Sequence, residues 1–319
     1  MRFICFTAGE ENPLFDRMFA DLAGDSRVRM VSGLPRHSSA LWKLHHKRGL
    51  NRKRPAPFRS VWSDKAFEAM VREEASASTG LCLLFNNFSL RFFEPSQLKH
   101  WKKDYGVKLV LCFIDRAVSW FSAEALMLTE HVDFDRIYSY SRPDAESMGW
   151  EFFDCYYSKA EAEGEGEESD LYFWGSDTGR RKMLEEIFLH VTGLGKKVRM
   201  GICYAQGDSP RLPGISYDEP REYEEILKDI AGAKVLLDII DGKGGVSLRY
   251  HEAAAYGKKL ISNNPEIKRM RLYDPCQMLY ITSCSDIPAS FFEEEAAIQP
   301  YSGEFSPLHW IDQLEKYFI

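Results

Sequence analysis

Short apolar runs recur along the chain, separated by polar stretches with helical periodicity. In the first half these runs cover 2–7, 28–32, 80–85, 108–114 and 136–140, and 64–77 between them carries a clear helical pattern. Strand-length runs alternating with helices predict a parallel sheet flanked by helices. Ala160-Glu-Ala-Glu-Gly-Glu-Gly-Glu-Glu-Ser169 breaks the pattern with small residues and acids and has almost nothing to bury, which predicts an interdomain linker. The alternation then resumes, with strands predicted at 171–174, 197–203, 234–240, 259–262 and 278–282 and helices at 180–191, 220–231, 248–256 and 307–317. The predicted division is a first domain over 1–158, an acidic linker over 159–169 and a second domain over 170–319, with the last helix free to return to the first domain. The predicted fold class is α/β, with two Rossmann-like doubly wound domains facing a cleft and ligands at the carboxyl ends of the strands.

At 319 residues the chain is long enough for two domains, each with its own core. The 45% hydrophobic and 28% charged content is that of a folded globular protein. A formal net charge of −7 argues against a general nucleic-acid binder, which carries a broad basic face. That charge is unevenly placed: residues 36–59 hold eight Lys or Arg, three His and no acid, whereas 161–170 hold six acids and no base. The basic stretch interleaves Leu41, Trp42, Leu44 and Leu50 with cations that include Lys43, Lys47, Arg48 and Arg52. It suits an anionic membrane surface or a phosphorylated glycolipid acceptor on one reading and a solvated loop on the other.

Seven cysteines form no Cys-x-x-Cys pair, and several sit in apolar strand runs, where cysteine behaves as a small buried hydrophobe. A reducing cytoplasm is the expected compartment. No apolar run approaches the roughly 18 residues of a membrane helix, so any membrane contact is expected to be peripheral.

The most informative stretch for function is 242–264. The apolar run 234–240 leads into Gly244-Gly245-Val246-Ser247, a helix begins at Leu248, and Gly257 stops it before Lys258-Lys-Leu-Ile261. Glycines let the backbone approach a ligand closely, and the opening N–H groups of the next helix are unpaired donors, so this order predicts a phosphate site. Arg249 and Glu252, three residues apart, share a helix face and offer a cation and a carboxylate. Gly175 followed by Arg180 and Arg181 repeats the strand, turn and helix order and predicts a second phosphate contact, with Arg180 preferred. Asp115, at the end of 108–114, and Glu10 and Glu11, past the first strand, are the candidate general bases; Asp115 and Glu11 are carried forward. Asp144 reads as structural. His251 points away from Arg249 and reads as packing, and Asp133-Phe-Asp135 lies too far from the glycine loop to suggest a metal site. No metal is expected.

These segments resemble the donor-site signature of bacterial GT-B glycosyltransferases that build surface polysaccharide and lipopolysaccharide core. The resemblance rests on Gly245, Ser247, Arg249, Glu252, Ala253, the strand 258–261, and Asn263 with Asn264. It extends through 170–181 and 134–145 and spans roughly 105–285. The family has a Trp-Asp-Ser element where this chain reads Ile114-Asp115-Arg116.

The resemblance implies a metal-independent glycosyltransferase. Its nucleotide-sugar donor would be held by Gly175, Arg180, Gly244, Gly245, Val246, Ser247, Arg249, Glu252 and Asn263, with Glu252 on the ribose hydroxyls. It implies a cell-surface glycan or glycolipid precursor as acceptor, with Lys43, Lys47, Arg48 and Arg52 on the acceptor side or on an anionic membrane. No cofactor is implied beyond the nucleotide sugar itself. A nucleotide-sugar 2-epimerase of the same fold and a non-catalytic nucleotide-sugar-binding protein remain the alternatives. The base, sugar, acceptor and stereochemistry depend on pocket shape that no motif here encodes.

Overall fold

The computed structural model describes residues 1–7, 13–32, 59–90, 93–119, 122–161, 166–205, 210–217, 220–242, 244–294 and 300–319. Glu10, Glu11 and the basic segment with Lys43, Lys47, Arg48 and Arg52 lie outside the described residues. The chain divides into two compact units, Met1–Ser158 with Ser306–Ile319, and Lys159–Phe305. The second unit therefore ends at Phe305 rather than at the chain terminus, and the final helix belongs to the first unit.

The first unit runs β1 (Arg2–Thr7), α1 (Pro13–Met18), β2 (Val28–Ser32), α2 (Arg59–Ala77), β3 (Leu81–Asn86), α3 (Pro95–Tyr105), β4 (Lys108–Phe113), α4 (Ala123–Thr129), β5 (Arg136–Ser139), α5 (Arg142–Met148) and β6 (Glu151–Phe152). All six strands are parallel, in the order β2-β1-β3-β4-β5-β6. Such sheets are covered on both faces, which is why β3, Leu-Cys-Leu-Leu-Phe-Asn, is buried at every position and reads as an unbroken apolar run. The register sets Phe6 beside Phe85, and their rings stack at 5.0 Å. Phe67, Phe93 and Trp101 complete that core layer. Cys5, Cys82 and Cys112 are buried and free. Burial, with Asp16 nearby, pushes the Cys5 thiol up to about 12, so it is an inert packing group.

The second unit runs β7 (Ser169–Ser176), α6 (Arg181–Gly193), β8 (Val198–Cys203), β9 (Ile215–Ser216), α7 (Tyr223–Gly232), β10 (Ala233–Asp238), α8 (Leu248–Ala255), β11 (Lys259–Ser262), β12 (Met278–Tyr280) and α9 (Ser290–Glu293). Its parallel sheet has the order β12-β11-β10-β7-β8-β9, so the chain reverses direction across the sheet between β7 and β10. The carboxyl ends on either side of such a reversal form the crevice where open α/β sheets bind ligands. Leu171, Phe173, Leu184, Ile187, Ile202, Leu237 and Ile261 form the core beneath.

The last helix, α10 (Pro307–Phe318), is capped by Ser306, whose hydroxyl accepts from Leu308 N and donates to Asp21. It carries Trp310, 1% exposed, against Phe153 at 4.7 Å and Tyr138 at 5.7 Å. Its outer turns are pinned electrostatically, with Arg27 bonding Asp312 and Glu315 and the Met1 ammonium reaching Glu315 at 3.1 Å. Burial of the indole outweighs these contacts, since partly exposed ion pairs contribute about 1 kcal/mol or less each. Trp310→Ala should destabilise the chain by about 3–5 kcal/mol, measured by urea denaturation. Tyr317→Ala, on the exposed side of the same helix, should cost about 1 kcal/mol or less. Equal losses would contradict this placement of α10.

Candidate functional site

The stretch between β10 and α8 is fixed by three side chains from its neighbours. Ser247 caps α8: its hydroxyl accepts from Arg249 N at 3.1 Å and donates to Asp238 Oδ1 at 2.6 Å. Asn264 donates to the Gly245 carbonyl at 3.0 Å. Asn263 accepts from Ile240 N at 2.8 Å and donates to Ile240 O at 2.9 Å, so its amide continues the β10 to β11 ladder one residue further. Asn263, expected on the donor, is engaged with the backbone in this structure. Val246, 2% exposed, anchors the loop inward. Among the described residues no acceptor meets the N–H of Gly244 or Gly245. N–H donors left open at the start of a helix suit an oxyanion.

Arg180 reaches the entry of this loop from the other side of the sheet reversal. It is the N-cap residue of α6, and its Nε donates to Ser176 O at 3.0 Å while its Nη1 donates to Ile239 O at the entry of the glycine loop. No carboxylate lies within ion-pair distance of it among the described residues. Burial pushes its pKa below the ordinary arginine value, against the pull of Asp238. The guanidinium is held by those two carbonyl oxygens and by the face of the Phe173 ring, 5.1 Å from its centroid, without an ion-pair partner among the described residues.

Gly175 does not form the turn that the sequence predicts. It lies inside β7 opposite Ile202, where an added Cβ would stand 3.2 Å from Arg180 Nη2, so its role is to leave room for that side chain. The turn is Asp177-Thr178-Gly179, with Thr178 and Gly179 at φ 43° and 88°. Asp177 accepts from the N–H groups of Gly179 and Arg181. A Cβ on Gly179 would stand 2.7 Å from the Asp241 carboxylate, which can swing aside, so it is the positive φ that favours glycine here. Arg181 is spent on Glu185 and Pro210 O.

Arg249 and Glu252 do share a face, but they bond each other. Arg249 also donates to Trp174 O at 2.7 Å, and Glu252, 1% exposed, accepts from the Tyr223 hydroxyl at 3.0 Å. Burial alone would lower the Arg249 pKa, but the adjacent Glu252 carboxylate reverses this and raises it. The pair ties α8 to β7 and α7, and in this structure Arg249, expected on the phosphate, is engaged with Glu252 and Trp174 O. His251 packs on Phe305 at 4.6 Å, and its Nδ1 lies 3.2 Å from Ser247 O.

In the first unit, Asp115 follows β4 and closes its own loop. Its two oxygens accept from Arg116 N at 2.8 Å and from Ser119 Oγ at 2.9 Å. Asp144 accepts from Ala117 N at 2.8 Å, the structural role expected of it.

Asp238 is not among the residues that the sequence singles out. It is 1% exposed and accepts from Ser247 and, at 3.1 Å, from Ser262. A single acid in Val235-Leu-Leu-Asp-Ile-Ile240 is the signal that could have found it. Burial raises its pKa above the ordinary 3.8, against the two hydroxyl donors, so the folded chain holds this proton more tightly than the unfolded chain. Stability linked to the group is then fully present below about pH 4 and is lost as pH rises through the raised value. Asp238→Asn removes the titration. In urea denaturation from pH 4 upward, the free-energy difference should move in favour of the variant as pH rises. A flat difference, or one moving the other way, would contradict the raised pKa.

No family model and no curated protein sequence matches this chain. Solved structures do. Trehalose-6-phosphate synthase OtsA aligns with a TM-score of 0.52 at 10% identity, over 99% of this chain and 98% of that one. A Listeria monocytogenes protein described as a UDP-N-acetylglucosamine 2-epimerase gives 0.50 at 10% identity, over 99% and 96%. The S. aureus MnaA–UDP structure gives 0.50 at 11%, over 100% and 97%. At such identities the likeness concerns architecture, and with two parallel six-stranded sheets it shows that this chain has the GT-B fold.

Proposed function

We propose that the chain is a metal-independent glycosyltransferase. The second unit would bind the diphosphate of a nucleotide sugar, and the sugar would pass to a cell-surface glycan or glycolipid precursor. The observation that carries this reading is the Arg180 guanidinium, bonded to the Ile239 carbonyl at the mouth of the glycine loop with no carboxylate to neutralise it among the described residues. With the open N–H groups of Gly244 and Gly245 it offers charge to the leaving diphosphate without a cation, and preorganised donors of this kind stabilise developing negative charge. UDP, the nucleotide named in the S. aureus MnaA structure of the same fold, is the first ligand to try.

Glu252 is proposed for the ribose hydroxyls, which would replace the hydroxyl of Tyr223. Asp115 is proposed as the acceptor-side base, since a carboxylate has about four acceptor positions and two are filled here. The segment with Lys43, Lys47, Arg48 and Arg52 is proposed for the acceptor or an anionic membrane. Among the described residues no helix is long and apolar enough to cross a membrane.

Calorimetric titration with UDP, GDP, CMP, dTDP and ADP, with and without a chelator, should show one nucleotide bound in both conditions. Arg180→Gln should weaken that binding by about tenfold or more. Undiminished binding by the variant would remove the site assignment. Asp115→Asn should slow transfer by about 100-fold or more with nucleotide affinity unchanged, and unaltered turnover would exclude it as base. Conversion of the sugar nucleotide without any acceptor would identify a 2-epimerase instead.

A further inference from the structure

Three arginines among the described residues have an Nε that is closed off from water and makes no hydrogen bond: Arg116, Arg136 and Arg199. Arg136 is neutralised by Glu151, and Arg199 by Glu167 and Asp229. Arg116 has no such partner among the described residues. Its backbone N–H bonds to Asp115, but no carboxylate, carbonyl or ring among them engages its guanidinium. Asp115, the nearest acid in sequence, directs its oxygens to the Arg116 backbone and to Ser119, which leaves the guanidinium charge uncompensated.

Hydrogen bonds hold the described residues on either side of Arg116. Ser119 Oγ meets Ser122 Oγ at 3.1 Å, Ser122 accepts from Asn87, and Asn87 accepts from Ile114 N at 3.0 Å. Ala117 is tied to Asp144. The loop leaves the carboxyl end of β4, an interior strand of the parallel sheet, and open α/β sheets bind ligands outside the carboxyl ends of their strands. Val118 beside it is 66% exposed and offers an apolar surface. A half-buried guanidinium with no protein partner among the described residues suits phosphate, whose oxygens match the outer edge of its planar fork.

We propose that Arg116 is the seat of a phosphate group carried by a sugar, so that the acceptor is a phosphorylated glycan. That the ligand is the acceptor rests on the glycosyltransferase reading; the oxyanion site itself does not.

The full chain, labelled with 15N-arginine, would be titrated with glucose 1-phosphate and with inorganic phosphate while the arginine Nε–Hε correlations are followed. The Arg116 signal is identified by its loss in Arg116→Gln. It should shift saturably with both ligands, at lower concentration for glucose 1-phosphate, and Arg116→Lys, which keeps the charge but loses the fork, should bind about tenfold more weakly by calorimetry. Absence of any shift at tens of millimolar ligand, or undiminished binding by both variants, would overturn the site. Equal affinity for the two ligands would overturn the sugar-borne assignment in favour of free phosphate. UDP affinity should stay within about twofold in Arg116→Gln, because the nucleotide site lies in the other unit. Loss of the donor reading through Arg180→Gln would leave the Arg116 signal unaffected, so the two failures are separable.

Discussion

One buried carboxylate holds the candidate site together. Asp238, at the end of an otherwise apolar strand, accepts from Ser247 on one side and Ser262 on the other, joining the cap of α8 to β10 and β11. A carboxylate out of water is destabilising unless donors meet it, so its position is strongly tied to those two hydroxyls. With Ser247 fixed, the start of α8 is fixed. Asn263 and Asn264 then set Ile240 and Gly245, and no acceptor among the described residues meets the N–H groups of Gly244 and Gly245. The proposed binding surface depends on the hydrogen bonds of the side chains beneath it.

That division of labour separates arginines that the sequence treats alike. Arg249 and Arg180 both stand at the beginning of a helix after a strand, and both look suited to phosphate. Arg249 is internally balanced by Glu252 and Trp174 O, so its charge serves the packing of α8. Arg180 rests on two carbonyls and the Phe173 ring, and no carboxylate among the described residues pairs with it. The difference lies in what neighbouring strands bring to each guanidinium, which spacing along one helix does not encode. Arg116 extends the distinction to the first unit, where an acid adjacent in sequence does not neutralise it.

The alternation of strands and helices is legible because strands buried on both faces appear as unbroken apolar runs. The runs at 2–7, 28–32 and 259–262 coincide with β1, β2 and β11. The two-residue strands β6 and β9 are too short to have a period, and the pattern does not predict α3, α4 or α5. The glycine loop is legible through its composition. Asp238 is not, because its partners come from positions 9 and 24 residues away and a lone acid has no periodic signature. The sequence points to Gly175 for the turn before α6, although the positive φ values fall at Thr178 and Gly179. Composition shows that a turn follows this strand, but not which residue turns it.

The most direct test of the account is a crystal structure of the chain with a bound nucleoside diphosphate. The account predicts the terminal phosphate within about 3 Å of the Gly244 and Gly245 nitrogens and of an Arg180 guanidinium nitrogen, with Asp238 still bonded to Ser247. A diphosphate held elsewhere, with the glycine N–H groups and Arg180 left uncontacted, would contradict it.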